Sequence, residues 1–484
     1  MSAARQVAIA GATGFVGREL LREFTAGSID PATQVVALTR GTPRADASGQ
    51  VQWRRTDFFS VHDLAASLAG VETAVYLIHS MMPTARLDQS RFEDTDLWLA
   101  DTFGRAAALA GVRHIIYLGA IAPVTAATST HLRSRKEVET ALSSGGVQVT
   151  TLRAGMILGA DSASFQILFL LVKRLPVMLC PRWAWTRTQP VSIADVTGLL
   201  RYSIAHPQPT NVAFDIACPD VTSYRELMLE CARQLGAHRP MLQAPFFSPK
   251  LSTLWVSLIT GASGELVAPL VRSLAHPMLA RDNPLLAGYR RALGRDLESS
   301  SAALARCLPL AAPVLRLERQ KRSADRGGEP LARSIQRFAR PPGAGPLEIA
   351  ADYFHWLHRW LAPVIAVEVS GSGSGSTLDR ATFKLLGRFA LLSLQRLAQE
   401  EEPERVVFQV DGGLLARTTA GPRGSGQLEF RLCLAGTAIL VGLHDFAPRL
   451  PWAVYKYTQA VAHLLIMKAF GVRLARQAAR PEPK

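Results

Sequence analysis

Through about residue 200 the chain alternates short apolar runs with stretches of helical period. Val7–Ala10, Val35–Leu38, Val51–Arg54, Ala74–Ile78, His114–Leu118 and Val149–Leu152 read as strands, while Gly17–Phe24, Leu97–Ala110 and Arg135–Leu142 repeat apolar residues at helical spacing. Runs such as AVYLI and HIIYL lack the alternation of a half-exposed strand, so they predict strands buried on both faces. Strand and helix in turn predict an α/β fold, a doubly wound parallel sheet with helices on either side.

The pattern changes after about Leu304. Arg316, Arg319, Lys321, Arg322 and Arg326 cluster, and Gly327-Gly328 and a PPGAGP run follow, which predicts a basic connector over 301–346. Beyond it, a helix at Leu347–Leu361 precedes strands at Val364–Val369, Arg405–Val410, Leu414–Thr418, Gln427–Leu434 and Thr437–His444, and Trp452–Phe470 closes as a helix. GSGSGS, Gly371–Ser376, reads as a flexible link inside this α+β segment. The expected division is 1–300, the alternating α/β segment, then the connector, then 347–484.

Length and composition set the scale. A chain of 484 residues, 48% apolar, buries more than one ordinary core. The formal net charge of +15 is carried by arginines scattered along helices, without zinc-finger spacing or an RNA-recognition signature, so it is read as affinity for anionic cofactors and peripheral contact with anionic lipid, not as nucleic-acid binding. Five separated cysteines without a C-x-x-C pair argue for a reducing cytoplasm and against a disulfide framework or a metal site. The first apolar run is short and broken by glycines, unlike a secretory leader. Phe165–Val172 ends at Lys173-Arg174, and Leu251–Leu270 is interrupted by Gly261, Ser263, Gly264 and Glu265, so neither reads as a membrane span, although the stretch near Leu251 suits an interfacial helix.

The first strand runs straight into GATGFVG. Gly11 permits a tight turn, Gly14 lets the backbone approach a diphosphate, and Gly17 lets the new helix pack against the strand, while Thr13, Phe15 and Val16 complete a loop whose amides face the anion. This is the cradle of a Rossmann-like sheet. At the end of the second strand, where an acidic residue would hold the ribose of NAD, the chain offers Arg40 and then Arg44, which favours NADP(H) over NAD(H). Asp57 stands where a loop meets adenine, or caps the next helix, and His79, Ser80 and Met81 leave the fourth strand at the edge where such sheets bind ligands. Trp183, Trp185 and Arg187 suit the mouth of a pocket.

GATGFVG, LRAGMILG (152–159) and QPVSIADV (189–196) together resemble the atypical, NmrA-like and extended branch of the short-chain dehydrogenase/reductase superfamily, over roughly residues 1–300. The resemblance implies that Arg153, Ala154 and Gly155 lie beside the nicotinamide. It fails at the catalytic Tyr-x-x-x-Lys pair: HLRSRKEVE places His131 at the tyrosine and Arg135 at the lysine, and Gly119 and Ala120 stand where serine is usual. His131 remains a candidate proton donor and Arg135 a candidate holder of ribose or phosphate oxygens. Hydride transfer itself needs no side-chain nucleophile, so a reductase of quinones or activated double bonds tolerates loss of the tyrosine better than a carbonyl reductase does.

The C-terminal segment looks like a START-like, helix-grip domain, and the pairing resembles a group of bacterial two-domain proteins. That resemblance implies a cavity between sheet and helix, where Tyr455, Gln459, His463 and Met467 form an i, i+4 stripe that lines it or is core. Three readings stand: an NADP(H)-dependent oxidoreductase acting on a hydrophobic quinone- or enone-like molecule, a non-catalytic NADPH-binding redox sensor or assembly factor, and a lipid- or hydrophobic-ligand-binding protein. The expected location is cytoplasmic, peripheral to the inner membrane face.

Overall fold

The computed structural model describes residues 5–26, 33–43, 49–80, 87–121, 129–244, 248–311, 331–371, 378–398, 402–417 and 426–479. Arg44, Met81, the basic cluster 316–326 and residues 372–376 of the GSGSGS link lie outside them. The chain forms two compact units, Met1–Pro83 with Leu99–Ser323, and Thr84–Trp98 with Ala324–Lys484.

The first unit is built on seven strands: β1 Arg5–Ala10, β2 Thr33–Thr39, β3 Val51–Arg55, β4 Thr73–Tyr76, β5 His114–Ala120, β6 Gln148–Ala154 and β7 Val212–Ile216. All pair in parallel, in the order β3-β2-β1-β4-β5-β6-β7. The order reverses beside β1, so the cradle leaves the sheet at its switch point. Neighbouring residues of β4 face opposite layers. Val75 joins a core with Leu20, Leu21 and Phe24 of the Phe15–Thr25 helix and Val196, Leu199 and Leu200 of the Ile193–Ala205 helix. Tyr76 instead meets Phe103 edge-on at 4.9 Å, from the helix Phe92–Leu109. The sheet is thus covered on both faces, as its unbroken apolar strands require.

The second unit holds seven antiparallel strands, β8 Ala332–Ala339, β9 Ile365–Ser370, β10 Arg380–Leu385, β11 Phe389–Arg396, β12 Arg405–Gly412, β13 Gln427–Cys433 and β14 Ala438–Phe446. They run in the order β9-β10-β11-β12-β13-β14-β8, and the short strand Leu87–Asp88 adds in parallel beside β8. The helices Pro346–Leu361 and Gln459–Ala478 pack on one face, where Tyr353, Phe354, Met467, Phe470 and Leu474 meet Leu428, Phe430 and Val441. Tyr455 and Met467 of the proposed cavity stripe are part of this core. On the other face of β13, Glu429 accepts from Arg405 Nε at 2.8 Å and from Arg431 Nε at 2.7 Å, and the Arg431 guanidinium stacks 4.3 Å over Trp98.

Some expectations change here. Ala332–Ala339, read as part of the connector, is a strand, because its apolar positions fall among arginines and glutamine that a compositional reading counts as linker. β10 and β11 went unseen, and Leu414–Thr418 forms no strand among its described residues, only a bridge from Ala416 to Pro448. Thr84–Trp98, inside the stretch assigned to the first domain, belongs to the second unit.

Candidate dinucleotide cradle and apolar cavity

Gly11 turns the chain with φ +89°, and a Cβ there would stand 3.0 Å from the Leu77 carbonyl. No other residue takes that conformation against that wall without strain. The turn closes with Gly14 N–H donating to Gly11 O at 2.9 Å, and Gly14 becomes the N-cap of the Phe15–Thr25 helix without a side-chain cap. The first-turn amides, those of Phe15, Val16 and Gly17 among them, have no helical acceptor and are available to an anion. Gly17 is buried against the turn: a Cβ would meet the Gly11 carbonyl and lie 2.8 Å from Ala12 Cα. Thr13 and Gly14 are exposed, whereas Val16 packs on the core and Phe15 lies against Gly159. Arg18 secures the loop from below, donating to Thr13 O at 2.9 Å and pairing with Asp161 at 3.2 Å. These residues fit a dinucleotide diphosphate: an exposed backbone concavity, without side chains to block it, at a helix N-terminus.

Arg40 follows β2 directly and is exposed. Asp57 sits in the turn after β3, where Oδ1 accepts from Phe59 N–H at 3.0 Å and its own N–H donates to Asp63 at 2.6 Å. The cap of the following helix is Ser60, which accepts from Asp63 N–H, so Asp57 is a turn residue and not that cap.

His79, which follows β4, is brought together with His131 and Arg135 of the helix that follows β5. Ser129 caps the Thr130–Ser143 helix, and His131 and Arg135, four apart, lie on one side of it. Arg135 is buried, donates from Nη2 to Nδ1 of His79 at 2.7 Å and lies 5.8 Å over the Tyr117 ring. The His79 and His131 rings are 5.2 Å apart. Arg153 is instead held by Glu139 in a two-pronged ion pair, its Nη2 2.8 and 3.0 Å from the two carboxylate oxygens.

His131 and Gly155 line one cavity of about 130 Å³. Its wall is almost entirely aliphatic, drawn from Ile167, Leu168 and Leu171 of one helix, Val256 of a second and Val267, Leu270, Val271 and Leu274 of a third. Polar groups are few: His131, the Ser164 and Ser273 hydroxyls, Trp183 and Tyr224. Burial pushes the Tyr224 hydroxyl up to about 12, so it is a neutral donor. Trp183 lines the cavity, while Trp185 is exposed beneath Arg225. Tyr224, Ser164 and Ser273 were missed because they sit on amphipathic helices whose apolar period announces a core and says nothing of a void within it.

Residues 11–168 match the family model described as NAD(P)H-binding. This stretch is an NAD(P)H-binding domain. Over 114 residues the chain is 28% identical to the auxiliary protein GraX of Staphylococcus aureus, covering 23% of this chain and 36% of GraX; the match spans only about a third of that relative. Among solved structures, a nucleoside-diphosphate-sugar epimerase from Staphylococcus aureus aligns at 17% identity over 62% of this chain and 99% of its own, with a TM-score of 0.50. The NADPH-dependent quinone oxidoreductase of Escherichia coli, complexed with NADPH, aligns at 18% identity over 62% and 99%, with a TM-score of 0.49. The first of these likenesses carries the fold. Among the described residues, no helix is long and apolar enough to cross a membrane.

Proposed function

We propose that the protein is an NADP(H)-dependent oxidoreductase acting on a hydrophobic, quinone- or enone-like small molecule. One observation carries the reading: the aliphatic cavity lies at the sheet edge where β5 and β6 end, bounded by Ala120, His131 and Gly155, so it adjoins the place a cofactor held by Gly11, Gly14 and Gly17 would reach. When bound, NADPH supplies the hydride. The chain's own work is to hold a flat apolar molecule against the aliphatic wall, to exclude water, and to deliver a proton to an acceptor oxygen from His131 at the cavity's edge. Arg40 selects the 2′-phosphate, and Arg135 orients His79 beside His131.

The absence of a Tyr-x-x-x-Lys pair favours a second reading, a redox sensor or assembly factor whose conformation follows NADPH. Calorimetric titration with NADPH and NADH, followed by a screen of quinones and enones, separates the two. NADPH-selective binding with acceptor-dependent oxidation supports the enzyme; selective binding with no turnover of any acceptor favours the sensor; absence of binding overturns both. For the second unit, an antiparallel sheet gripping a long C-terminal helix supports the START-like reading, and the aromatic packing of Tyr353, Phe354, Phe430 and Phe470 favours a scaffold over a ligand cavity. Five buried free cysteines favour a cytoplasmic setting.

A further inference from the structure

We infer that the first unit docks on an anionic lipid surface through the outer face of the Pro249–Thr260 helix and the two-stranded ribbon beside it. Ser252, Val256 and Thr260 turn that helix inward, and Val256 lines the cavity. Leu251, Leu254 and Leu258, spaced i, i+3, i+7, turn outward and are 46, 65 and 78% exposed. The outward face of the helix is therefore apolar and exposed.

The ribbon repeats the arrangement at period two. Met178 and Cys180 join the core, while Leu179 and its register partner Leu242 are 47 and 55% exposed, with Val177 exposed nearby. The segments that flank the first ribbon strand are tied to the helix at both of its ends. Arg174, three residues before Val177, donates to the Ile259 carbonyl at 2.6 Å, and Trp183, three residues after Cys180, donates to Ser252 Oγ at 3.4 Å.

Charge identifies the occupant. Lys173–Arg187 holds four basic residues and no carboxylate, Arg239–Gly264 holds no carboxylate at all, and Lys250 stands at the start of the helix. Exposed leucines on segments rich in cations and, up to Glu265 of the next helix, free of carboxylates match a bilayer interface, where acyl chains take the leucines and anionic headgroups the cations. Since no described helix is long and apolar enough to span a bilayer, the contact is interfacial. A hydrophobic substrate would then pass from bilayer to cavity behind Val256; that consequence rests on the oxidoreductase reading, and the docking itself does not.

The test is cosedimentation of the full chain with vesicles, without NADPH or substrate. Vesicles of phosphatidylglycerol and phosphatidylcholine in equal parts should bind it, and phosphatidylcholine alone should bind it much less. Leu254→Asp with Leu258→Asp should weaken partitioning by at least about tenfold, since burying each leucine is worth about that factor or more. NADPH affinity of that variant should stay at the wild-type value. Lys250→Glu, which disturbs no core residue, should weaken binding severalfold and blunt its response to salt. Failure to bind anionic vesicles, or binding indifferent to both variants, would overturn the inference. So would sedimentation velocity showing that the leucines join two copies of the chain into a dimer that the double variant dissolves. Failure of the oxidoreductase reading would appear separately, as vesicle binding without turnover.

Discussion

Arg135 Nη2 lies 2.7 Å from Nδ1 of His79, and because a guanidinium only donates, Nδ1 carries the lone pair and Nε2 the proton. The buried arginine thus presets the tautomer of an exposed histidine whose ring lies 5.2 Å from that of His131. Nitrogen NMR of histidine-labelled protein at neutral pH should show His79 with Nδ1 unprotonated. Arg135→Met should convert that signal to a tautomer average; an unchanged signal would mean the contact does not set the proton.

If His131 is the proton donor of the proposed reaction, His131→Ala should lower kcat by roughly a hundredfold, within the usual range for general acid catalysis. NADPH affinity should be unaltered, since the diphosphate cradle is built from backbone at Gly11–Gly17. Turnover at the wild-type rate would remove His131 from the mechanism and pass the role to Tyr224, a buried phenol of the same wall.

The cradle makes a sharper test. A Cβ at Gly17 would stand 2.8 Å from Ala12 Cα and also press on the Gly11 carbonyl, and both are backbone atoms that cannot rotate away. Gly17→Ala should destabilise the first unit by about 2 kcal/mol, through overpacking, and abolish NADPH binding. Arg40→Ala should instead weaken NADPH far more than NADH. Equal losses for the two nucleotides, read by calorimetry, would show that Arg40 does not meet the 2′-phosphate.

How far the sequence reached follows from what each signal encodes. The parallel sheet was legible because strands buried on both faces cannot hide: Val35–Leu38 and His114–Leu118 are uninterrupted apolar runs inside β2 and β5. The cradle was legible because its glycines answer local backbone demands. The cavity was not, since Leu270 and Leu274 look the same whether they face a neighbour or a void. Nor was the recruitment of Thr84–Trp98 into the second unit, because pairing of Leu87–Asp88 with Ala332–Arg333 joins residues far apart in the chain and leaves no local trace. β8 was hidden by its own charges: Arg333 is buried and Arg337 pairs with Asp94 at 2.8 Å, so residues that read as solvated connector are held inside the fold.

The buried network around Glu429 shows what such charges cost. Burial alone would raise its carboxyl, but the Arg405 and Arg431 guanidiniums outweigh that and hold it at about 2. Glu429→Leu removes a carboxylate to which two buried guanidiniums donate and should destabilise the second unit by about 3–5 kcal/mol in urea denaturation. Replacing all three with Arg405→Met, Glu429→Leu and Arg431→Met should recover most of that loss. A single variant as stable as the wild type would show that the network is solvated in solution.

His114 gives the first unit a predictable acid response. It is buried in β5, its Nε2 2.8 Å from Thr150 Oγ1 of β6, and burial lowers its pKa from 6.5 to about 4. The neutral ring is therefore favoured in the folded state. Above pH 6.5 the histidine is neutral in folded and unfolded chains alike and stability is complete. As pH falls from 6.5 towards 4 the unfolded chain takes up a proton that the folded unit refuses, and up to roughly 3 kcal/mol is lost. His444 and Asp94 titrate in the second unit, with opposite signs: burial lowers His444 to about 3, which adds to the acid loss, and raises Asp94 to about 6, which opposes it. The informative quantity is thus the difference between wild type and His114→Asn, followed by calorimetry from about pH 8 to about pH 4, a range that contains the window between the two pKa values. The variant should begin less stable and lose less on acidification, so the two curves converge; parallel curves would show that His114 titrates in the folded chain as it does in the unfolded one.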